Sequence, residues 1–315
     1  MLYSGPSLAA PSKAVVVRDR LVVLDPLGDS LVKVIQIGSG RLERAFGRHG
    51  EGPGEFDAPW SAIVPPADPG AVWIYDLNLR RLTHVALDED LKPGRRPGGQ
   101  LLHLRADFTV NSPVLLADGS ILSPGFFTDS GRLARFDPSG KLLGVVGTPP
   151  RGRRGVPDAV VQHAYQSTAG AHPDGSLVAL ATRHADGLEI YHADGSPVVS
   201  RHGPDGFEPV YTVRQTAQGP TLATGEDLRF GYIDLATTAA RIYALYSGKT
   251  RKEAPGRANF GTYIHVYDWQ GRLRAVWTLD AAVLGIAVDP AGRTLYALRH
   301  DPEPAVLAYA LPTPG

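Results

Sequence analysis

Short apolar runs recur along the chain and are separated by turns built from Asp, Pro and Gly. Residues 112–122 read Ser-Pro-Val-Leu-Leu-Ala-Asp-Gly-Ser-Ile-Leu, and residues 170–180 read Gly-Ala-His-Pro-Asp-Gly-Ser-Leu-Val-Ala-Leu. Runs rich in branched and aromatic residues are typical of strands, and Asp-Gly supplies the backbone angles that tight hairpins need. The pattern therefore predicts antiparallel strands joined by short turns.

The second half of the unit repeats as well, as in Gly-Leu-Glu-Ile-Tyr-His-Ala-Asp-Gly-Ser-Pro-Val-Val at 187–199. The turns predicted between third and fourth strands fall at Gly40, Asp90, Gly140, Gly195 and Gly271. The first three are 50 residues apart, the next spacing is 55, and the last is 76 because long insertions precede it. Four strands in each period of about 40–50 residues are typical of a β-propeller.

We place five full blades at about 12–50, 58–100, 107–147, 166–203 and 228–280. A sixth blade, at 281–311, ends after its third strand and leaves an open edge. The leading residues 1–10 belong to no blade, so we expect them to supply the missing strand. The predicted fold is an all-β, six-bladed propeller with four antiparallel strands per blade, forming a single domain over 1–315. Two separate β-sandwich domains are the alternative, but the Pro-rich stretches are short for a linker.

Composition supports this fold and excludes several functions. The chain has 36 Gly and 27 Pro, which long helices do not tolerate, and 43% hydrophobic residues, enough for a large core. Lys+Arg and Asp+Glu are equal at 32 each, so we expect no nonspecific binding to nucleic acid. The absence of Cys excludes disulfides, thiolate metal sites and a Cys nucleophile. No apolar run reaches the ~20 residues of a membrane span, and the N-terminus does not read as an intact signal peptide.

Three stretches resemble known propeller repeats. Residues 45–64 read Ala-Phe-Gly-Arg-His-Gly-Glu-Gly-Pro-Gly-Glu-Phe-Asp-Ala-Pro-Trp-Ser-Ala-Ile-Val, which resembles the blade junction of NHL-type repeats. Residues 242–249 (Ile-Tyr-Ala-Leu-Tyr-Ser-Gly-Lys) and 264–271 (Ile-His-Val-Tyr-Asp-Trp-Gln-Gly) are similar to bacterial six-bladed TolB-like propellers. The resemblance implies the six-bladed fold and a periplasmic or secreted location. It implies no catalytic residue.

Motifs of catalysis and metal binding are weak. Gly248-Lys249-Thr250 looks like the end of a P-loop, but the first glycine of that motif would fall at Tyr243. The ten histidines are dispersed and lack the spacing of a metal site. We therefore expect no tightly bound metal or cofactor. Asn111 is a lone candidate ligand for a calcium on the propeller axis, and that alternative stays open.

Loop length and charge provide the best indication of a binding site. In each blade, the loops after the second and fourth strands open on one face, and the long segments 47–58, 148–165, 203–228 and 248–261 are all of this kind. Two of these segments, 148–165 and 248–261, together carry seven basic and two acidic residues in a neutral protein. We expect them to form a basic rim that attracts anions. The candidate ligand-binding residues are Arg151, Arg153, Arg154, Lys249, Arg251, Lys252 and Arg257, with Trp60 and Tyr165 lining the mouth and His163 at the start of an inner strand, facing the central channel.

Two functions are compatible with these features. The first is a noncatalytic recognition module that binds a protein segment or an anionic small molecule on the face with the long loops. The second is a propeller enzyme of the lactonase, esterase or lyase type with a metal in the channel. An enzyme needs acid, base or metal ligands that converge, and the sequence shows no such set, so we favour binding. We expect a monomer.

Overall fold

The computed structural model describes residues 1–87, 99–126, 131–217 and 219–312. Strands dominate it, as the repeats predict. In the first half of the chain the strands are β1 (Tyr3–Ser4), β2 (Lys13–Val17), β3 (Arg20–Leu24), β4 (Val32–Gln36), β5 (Arg41–Phe46), β6 (Arg48–His49), β7 (Glu55–Phe56), β8 (Pro59–Ile63), β9 (Ala71–Asp76), β10 (Arg81–Ala86), β11 (Leu101–His103), β12 (Val114–Leu115), β13 (Ile121–Ser123), β14 (Leu133–Phe136) and β15 (Leu142–Val146).

One short helix, α1 (Asp158–Ala164), comes between these strands and the rest among the residues that the structure describes. The later strands are β16 (Ser167–Ala171), β17 (Leu177–Thr182), β18 (Gly187–His192), β19 (Pro197–His202), β20 (Thr212–Thr216), β21 (Gly219–Ala223), β22 (Tyr232–Thr237), β23 (Ile242–Tyr246), β24 (Gly261–Tyr267), β25 (Leu273–Val288), β26 (Thr294–Arg299) and β27 (Ala305–Ala310). In the described parts of the chain, no helix has the length and apolar character that crossing a bilayer demands.

The first four blades are four-stranded antiparallel sheets. They consist of β2–β5, β8–β11, β12–β15 and β16–β19, each in the order of the sequence. Side chains on both faces of their central strands are buried, as in the fully buried run Leu21–Leu24 of β3. This burial on both faces is expected where blades pack against their neighbours on either side.

The fifth and sixth blades share one long strand. The first half of β25 pairs with β24, where Val276 lies opposite His265, and its second half pairs with β26, where Ile286 lies opposite Ala297. The strand therefore leaves the fifth blade as its outer strand and enters the sixth as its inner strand without a separating loop. Counted in this way, the seven-stranded sheet β22–β27 plus β1 contains two blades, and the propeller has six.

The N-terminal strand closes the ring. Tyr3 of β1 lies opposite Val306 of β27, Ser4 lies opposite Ala305, and the Leu2 amide donates a hydrogen bond of 2.8 Å to the Val306 carbonyl. β1 thus becomes the fourth strand of the last blade. The prediction that the leading residues supply the missing strand is confirmed.

Blade boundaries are close to the predicted ones in most places. The outer strand of the second blade, β11, begins at Leu101, just beyond the predicted limit at residue 100. The turn predicted at Asp90 lies outside the described residues. The assignment of 1–315 to a single domain stays a prediction.

The repeated Asp-Gly-Ser turns use the same hydrogen bonds each time. The carboxylate of Asp194 accepts from the Ser196 amide (2.8 Å) and hydroxyl (2.6 Å), and Asp118 accepts in the same way from Ser120 (2.9 and 2.5 Å). Gly195, which lies between Asp194 and Ser196, adopts a φ of +88°, which side-chain-bearing residues rarely adopt. The serine hydrogen bonds lower the pKa of both carboxyls because they stabilise the ionised form.

Buried aspartates attach the incoming chain to the first and second blades. Asp25 is fully buried and accepts from the amides of Ala9 (2.9 Å) and Ala10 (2.6 Å) and from the ammonium of Lys33 (2.9 Å). Asp76, at the corresponding end of β9, accepts from the amides just before β8. Each carboxylate therefore binds the segment that leads into its own blade.

The inner strands surround a central channel of about 310 Å³. Its walls are mostly aliphatic, and prolines lie at the end where the first turn of each blade is found. Near the other end, Lys13 of β2 forms an ion pair with Asp234 of β22, which also accepts from the Ile286 amide at 2.8 Å. This pair links the first, fifth and sixth blades across the channel.

Candidate functional site

Four long connections leave the propeller on one face, which we call the loop-rich face. They are 47–58, 147–166, 203–231 and 247–260, and each follows the second or fourth strand of a blade. The second contains α1, and the third contains the β20–β21 hairpin, which sequence reasoning treated only as a long loop. The connection 87–100 follows a third strand and leaves the opposite face, but most of it lies outside the described residues.

The arginines of the loop 148–165 have separate environments. Arg151 and Arg154 are exposed. The guanidinium of Arg153 lies 4.8 Å from the centre of the Tyr211 ring and donates to the Tyr211 carbonyl. Tyr165 donates to the carboxylate of Glu208 at 2.8 Å, and burial, followed by this hydrogen bond, raises the pKa of its hydroxyl. This loop is therefore attached to the segment 203–231.

The basic residues of the loop 248–261 also contact neighbours outside the loop 148–165. Arg251 donates to the Thr224 hydroxyl at 3.1 Å, Arg257 forms an ion pair with Asp301 at 2.6 Å, and Lys252 is exposed. Within the described ranges, no hydrogen bond or ion pair joins the two basic loops. Both instead contact the segment 203–231, which lies between them.

Two of the other predicted site residues, His163 and Trp60, lie in different kinds of element. His163 lies on α1 and not at the start of an inner strand, because the chain forms a helical turn before β16 begins at Ser167. Its ring packs against Phe126 with 4.7 Å between the centroids. Trp60 is in the inner strand β8 and is 44% exposed, so it remains accessible.

A cleft of about 580 Å³ opens on the loop-rich face beside the fifth blade. It is lined by Pro204, Asp205, Arg229, Tyr246, Ser247, Gly248, Lys249, Glu253, Ala254, Tyr263, His265 and Val276. Tyr263 and Val276, on neighbouring strands of the fifth blade, are 40% and 47% exposed. The cleft thus joins an apolar strand surface to a polar loop.

Cations and anions of the cleft are unequally paired. Arg229 donates to the Gly248 carbonyl (2.5 Å) and lies 3.7 Å from the carboxylate of Glu253. Asp205 accepts from the Tyr246 hydroxyl. Among the residues that the structure describes, Lys249 forms no ion pair. Its ammonium is therefore the cation in this cleft that is available to a ligand.

A buried polar network supports the cleft from below. The Tyr232 hydroxyl donates to Asp186 at 2.9 Å and lies 2.6 Å from the Tyr267 hydroxyl and 3.1 Å from Nδ1 of His265. The His265 ring stacks on Tyr246 with 4.4 Å between the centroids. Burial lowers the pKa of His265 and raises that of Tyr267 to about 12, so both are neutral near pH 7. The stacked rings of His265 and Tyr246 therefore form a rigid and uncharged part of the floor of the cleft.

Asn111, the single candidate for an axial calcium, uses its amide nitrogen in a structural hydrogen bond, while its Oδ1 is buried without a partner in the described part of the chain. Its side-chain amide donates to the Ser167 carbonyl at 2.9 Å, which ties the third blade to the fourth. The described ranges contain no group of three His, Asp or Glu side chains arranged to hold a metal ion. The expectation that the protein binds no metal or cofactor stays a prediction.

Comparison with known proteins supports the fold. A family model described as "TolB-like 6-blade propeller-like" matches residues 6–291. A member of the duf4221 family from Bacteroides vulgatus is similar in structure, with a TM-score of 0.60, 9% identity, and coverage of 97% of this chain and 94% of the other. Kuenenia stuttgartiensis hydrazine synthase gives a TM-score of 0.55 at 11% identity, covering 98% and 97%.

The Cps50 (Swd1) β-propeller domain of Myceliophteria thermophila gives a TM-score of 0.50 at 12% identity, covering 96% of this chain and 97% of the other. No curated protein matches the sequence. Similarity at such low identity shows the fold alone, and the propeller fold is compatible with binding or scaffold roles. Since the family model covers nearly the whole chain, this protein belongs to the TolB-like six-bladed propeller family.

Proposed function

We propose that this propeller is a noncatalytic recognition module that binds a peptide segment of a partner protein in the cleft beside the fifth blade. The observation that carries the proposal is the combination of an unpaired ammonium, Lys249, with the exposed side chains of Tyr263 and Val276 in one cleft of about 580 Å³. A peptide that fits this lining presents a carboxylate next to an apolar residue. Aromatic residues and cations together are typical of the sites that dominate binding energy in protein interfaces.

The geometry of the strands favours an extended peptide. Tyr263 and His265 point to the same side of β24, and Val276 lies opposite His265 on β25. The exposed side chains of Tyr263 and Val276 lie at the edge of the cleft, the buried His265 ring forms part of its floor, and Lys249 lines the same cleft from a loop. An extended segment that lies along this surface would place alternate side chains towards the blade.

The loops explain why the binding surface is on this face. Arg229 is held by Gly248 and Glu253, and Asp205 by Tyr246, so the connection 203–231 is joined on both sides of the cleft to the end of β23 and the loop that follows it. Such preorganised walls lower the entropy that binding must overcome.

The experiment is selection of random seven-residue peptides displayed on phage against the purified protein. We expect the enriched peptides to carry Asp, Glu or a free C-terminal carboxylate beside an apolar residue. Lys249→Ala should weaken the binding of an enriched peptide at least tenfold, and Arg293→Ala, in an exposed turn on the opposite face, should leave it unchanged. Enriched peptides without a carboxylate, equal binding by Lys249→Ala, or no enrichment at all would each contradict the proposal.

A further inference from the structure

The wall of the central channel is apolar, and all six blades contribute to it. Val15 of β2, Ile63 of β8, Ala171 of β16 and Ala236 of β22 line the channel and are half-buried, whereas residues 21–24 of β3 are fully buried. Since blades pack on both faces of each inner strand, the surface that these four side chains leave accessible faces the channel. The channel therefore offers an aliphatic wall to a ligand.

The hydroxyl groups of the wall are either engaged or inaccessible. The Thr237 hydroxyl donates to the Ala171 carbonyl at 2.7 Å, and the Ser112 hydroxyl accepts from the Ala169 amide at 2.9 Å. The Ser61 hydroxyl has no partner in the described part of the chain, but its oxygen is buried and does not reach the accessible surface. A ligand in the channel thus finds few groups with which it can form hydrogen bonds.

The charged and titratable side chains of the lining are paired as well. At the loop-rich end, the Lys13 ammonium pairs with Asp234. At the other end, the His172 ring lies 2.6 Å from the carboxylate of Asp174 and 3.2 Å from the Ala239 carbonyl. Because burial of an ionised group without a partner is costly, the channel selects against an ionised ligand.

Prolines surround the mouth of the channel on the face opposite to the loop-rich face. Pro69, Pro173 and Pro290 are exposed and lie in the first turns of the second, fourth and sixth blades, so they alternate around the ring. Proline has no N–H group to donate and its φ is fixed, which makes this mouth apolar and rigid. An apolar molecule can therefore enter the channel from this side.

The dimensions of the channel favour a narrow and extended ligand. Five consecutive residues of the fourth blade, 169–173, line it. At about 3.3 Å per residue of a strand, this lining is about 15 Å long. The volume of about 310 Å³ spread over this length corresponds to a mean cross-section of about 20 Å², which an extended hydrocarbon chain fills and a fused ring system exceeds.

We propose that the central channel is a binding site for the unbranched alkyl chain of an uncharged small molecule, such as a long-chain alcohol. Water in an apolar channel forms few hydrogen bonds with the wall, so a hydrocarbon chain displaces it at little cost. Each methylene group that leaves bulk water adds to the affinity. The site shares no residue with the lining of the cleft beside the fifth blade, and it does not depend on peptide binding there.

The first experiment is titration of the protein, labelled at its Ile, Leu and Val methyl groups, with 1-octanol and detection by NMR. We expect saturable shifts, together with nuclear Overhauser effects from the octyl chain to Val15, Ile63 and Val288. Leu143 and Val198 are exposed on outer strands and serve as internal controls that should show neither. No shifts, shifts without saturation, or contacts of equal strength at the two controls would overturn the proposal.

A series of ligands tests the chemistry of the site. From 1-hexanol to 1-octanol, each added methylene should strengthen binding about fourfold, since burial of a CH₂ group is worth about 0.8 kcal/mol. Octanoate should bind at least tenfold more weakly than 1-octanol, and the wider 1-adamantanol should not bind. Octanoate that binds as tightly as 1-octanol would contradict the inference from the paired wall, and 1-adamantanol that does so would contradict the narrow shape.

Variants that fill the channel test where the ligand binds. Ala171→Leu and Ala236→Leu, in two different blades, should each weaken the binding of 1-octanol at least tenfold. Ala308→Leu, the same substitution at an exposed position of β27, is the matched control and should bind as the wild type does. Because the methyl contacts are measured on the wild type, the proposal stays testable if a channel variant does not fold. Unchanged affinity in a folded channel variant would place the ligand elsewhere and defeat the inference.

Discussion

Asp25 and Lys33 form an ion pair of 2.9 Å whose side chains are 0% and 1% exposed. The pair is completed by the amides of Ala9 and Ala10, which donate to the same carboxylate. The segment that leads from the closing strand into the first blade is therefore bound to the interior of that blade. Ring closure depends on this attachment as well as on the two residues of β1.

Removal of one member of the pair should be strongly destabilising. Asp25→Ala leaves the Lys33 ammonium buried without its partner and two amides without an acceptor, so we expect a loss of about 3–5 kcal/mol in the free energy of unfolding. Urea unfolding measures this loss. Glu43→Ala, which breaks the ion pair with Arg20 on a more accessible surface, is the control and should cost about 1 kcal/mol or less. Equal losses for both variants would contradict the role given to burial.

Deletion of residues 1–10 should destabilise the whole ring. It removes β1, the buried side chain of Leu8 and the amides bound to Asp25. We expect a loss of several kcal/mol in the free energy of unfolding. Each kcal/mol lowers the melting temperature by roughly 2–4 °C in a domain of 150–250 residues, and by somewhat less in a larger one such as this. Differential scanning calorimetry measures the change. A deletion variant that melts at the wild-type temperature would show that the last blade does not need its fourth strand.

The protein should become less stable as the pH falls, partly because of His184. Burial lowers its pKa to about 3 in the folded chain, against about 6.5 in an unfolded one. Between these values the unfolded state binds a proton that the folded state does not, so stability is lost as the pH falls from about 6.5 towards 3. The melting temperature of His184→Gln should therefore decline less than that of the wild type between pH 7 and pH 4.5. A parallel decline of the wild type and His184→Gln would refute the assignment.

The buried tyrosine network below the cleft gives a further prediction. Tyr232→Phe removes the hydroxyl that donates to Asp186 and leaves that carboxylate with two backbone donors, the amides of Asp205 and Gly206. We expect a loss of about 1–3 kcal/mol, measured by urea unfolding. Tyr263→Phe, on the exposed wall of the cleft, should be nearly neutral for stability. The prediction fails if Tyr232→Phe is as stable as the wild type.

Much of the fold could be predicted because each blade carries its own local signals. Asp194-Gly195-Ser196 specifies a tight turn through one carboxylate and one positive φ, and neither depends on distant residues. The open edge of the sixth blade likewise predicted ring closure. The continuous strand β25 gave no comparable signal, because a strand that passes between blades without a loop has no turn residues to mark the boundary.

The site was harder to predict because it depends on which long loops meet. The arginines and lysines of 148–165 and 248–261 were recognised as a group, but the β20–β21 hairpin lies between these loops. Arg229 was missed because it is a lone arginine next to a strand, and its sequence neighbours do not show that it contacts Gly248 and Glu253. His163 was misplaced because α1 is too short to show a helical period.

The closing strand also determines how the propeller responds to mechanical force. β1 runs antiparallel to β27, with Tyr3 opposite Val306 and Ser4 opposite Ala305, so the first residues of β1 and the last residues of β27 point to the same end of the seam. Tension applied between these ends would load the hydrogen bonds of the seam one after another, as in a zipper, and not all at once in shear. A handle attached at each end in an optical trap should therefore open the sixth blade at low force before any other blade yields, although the same seam protects the ring against heat.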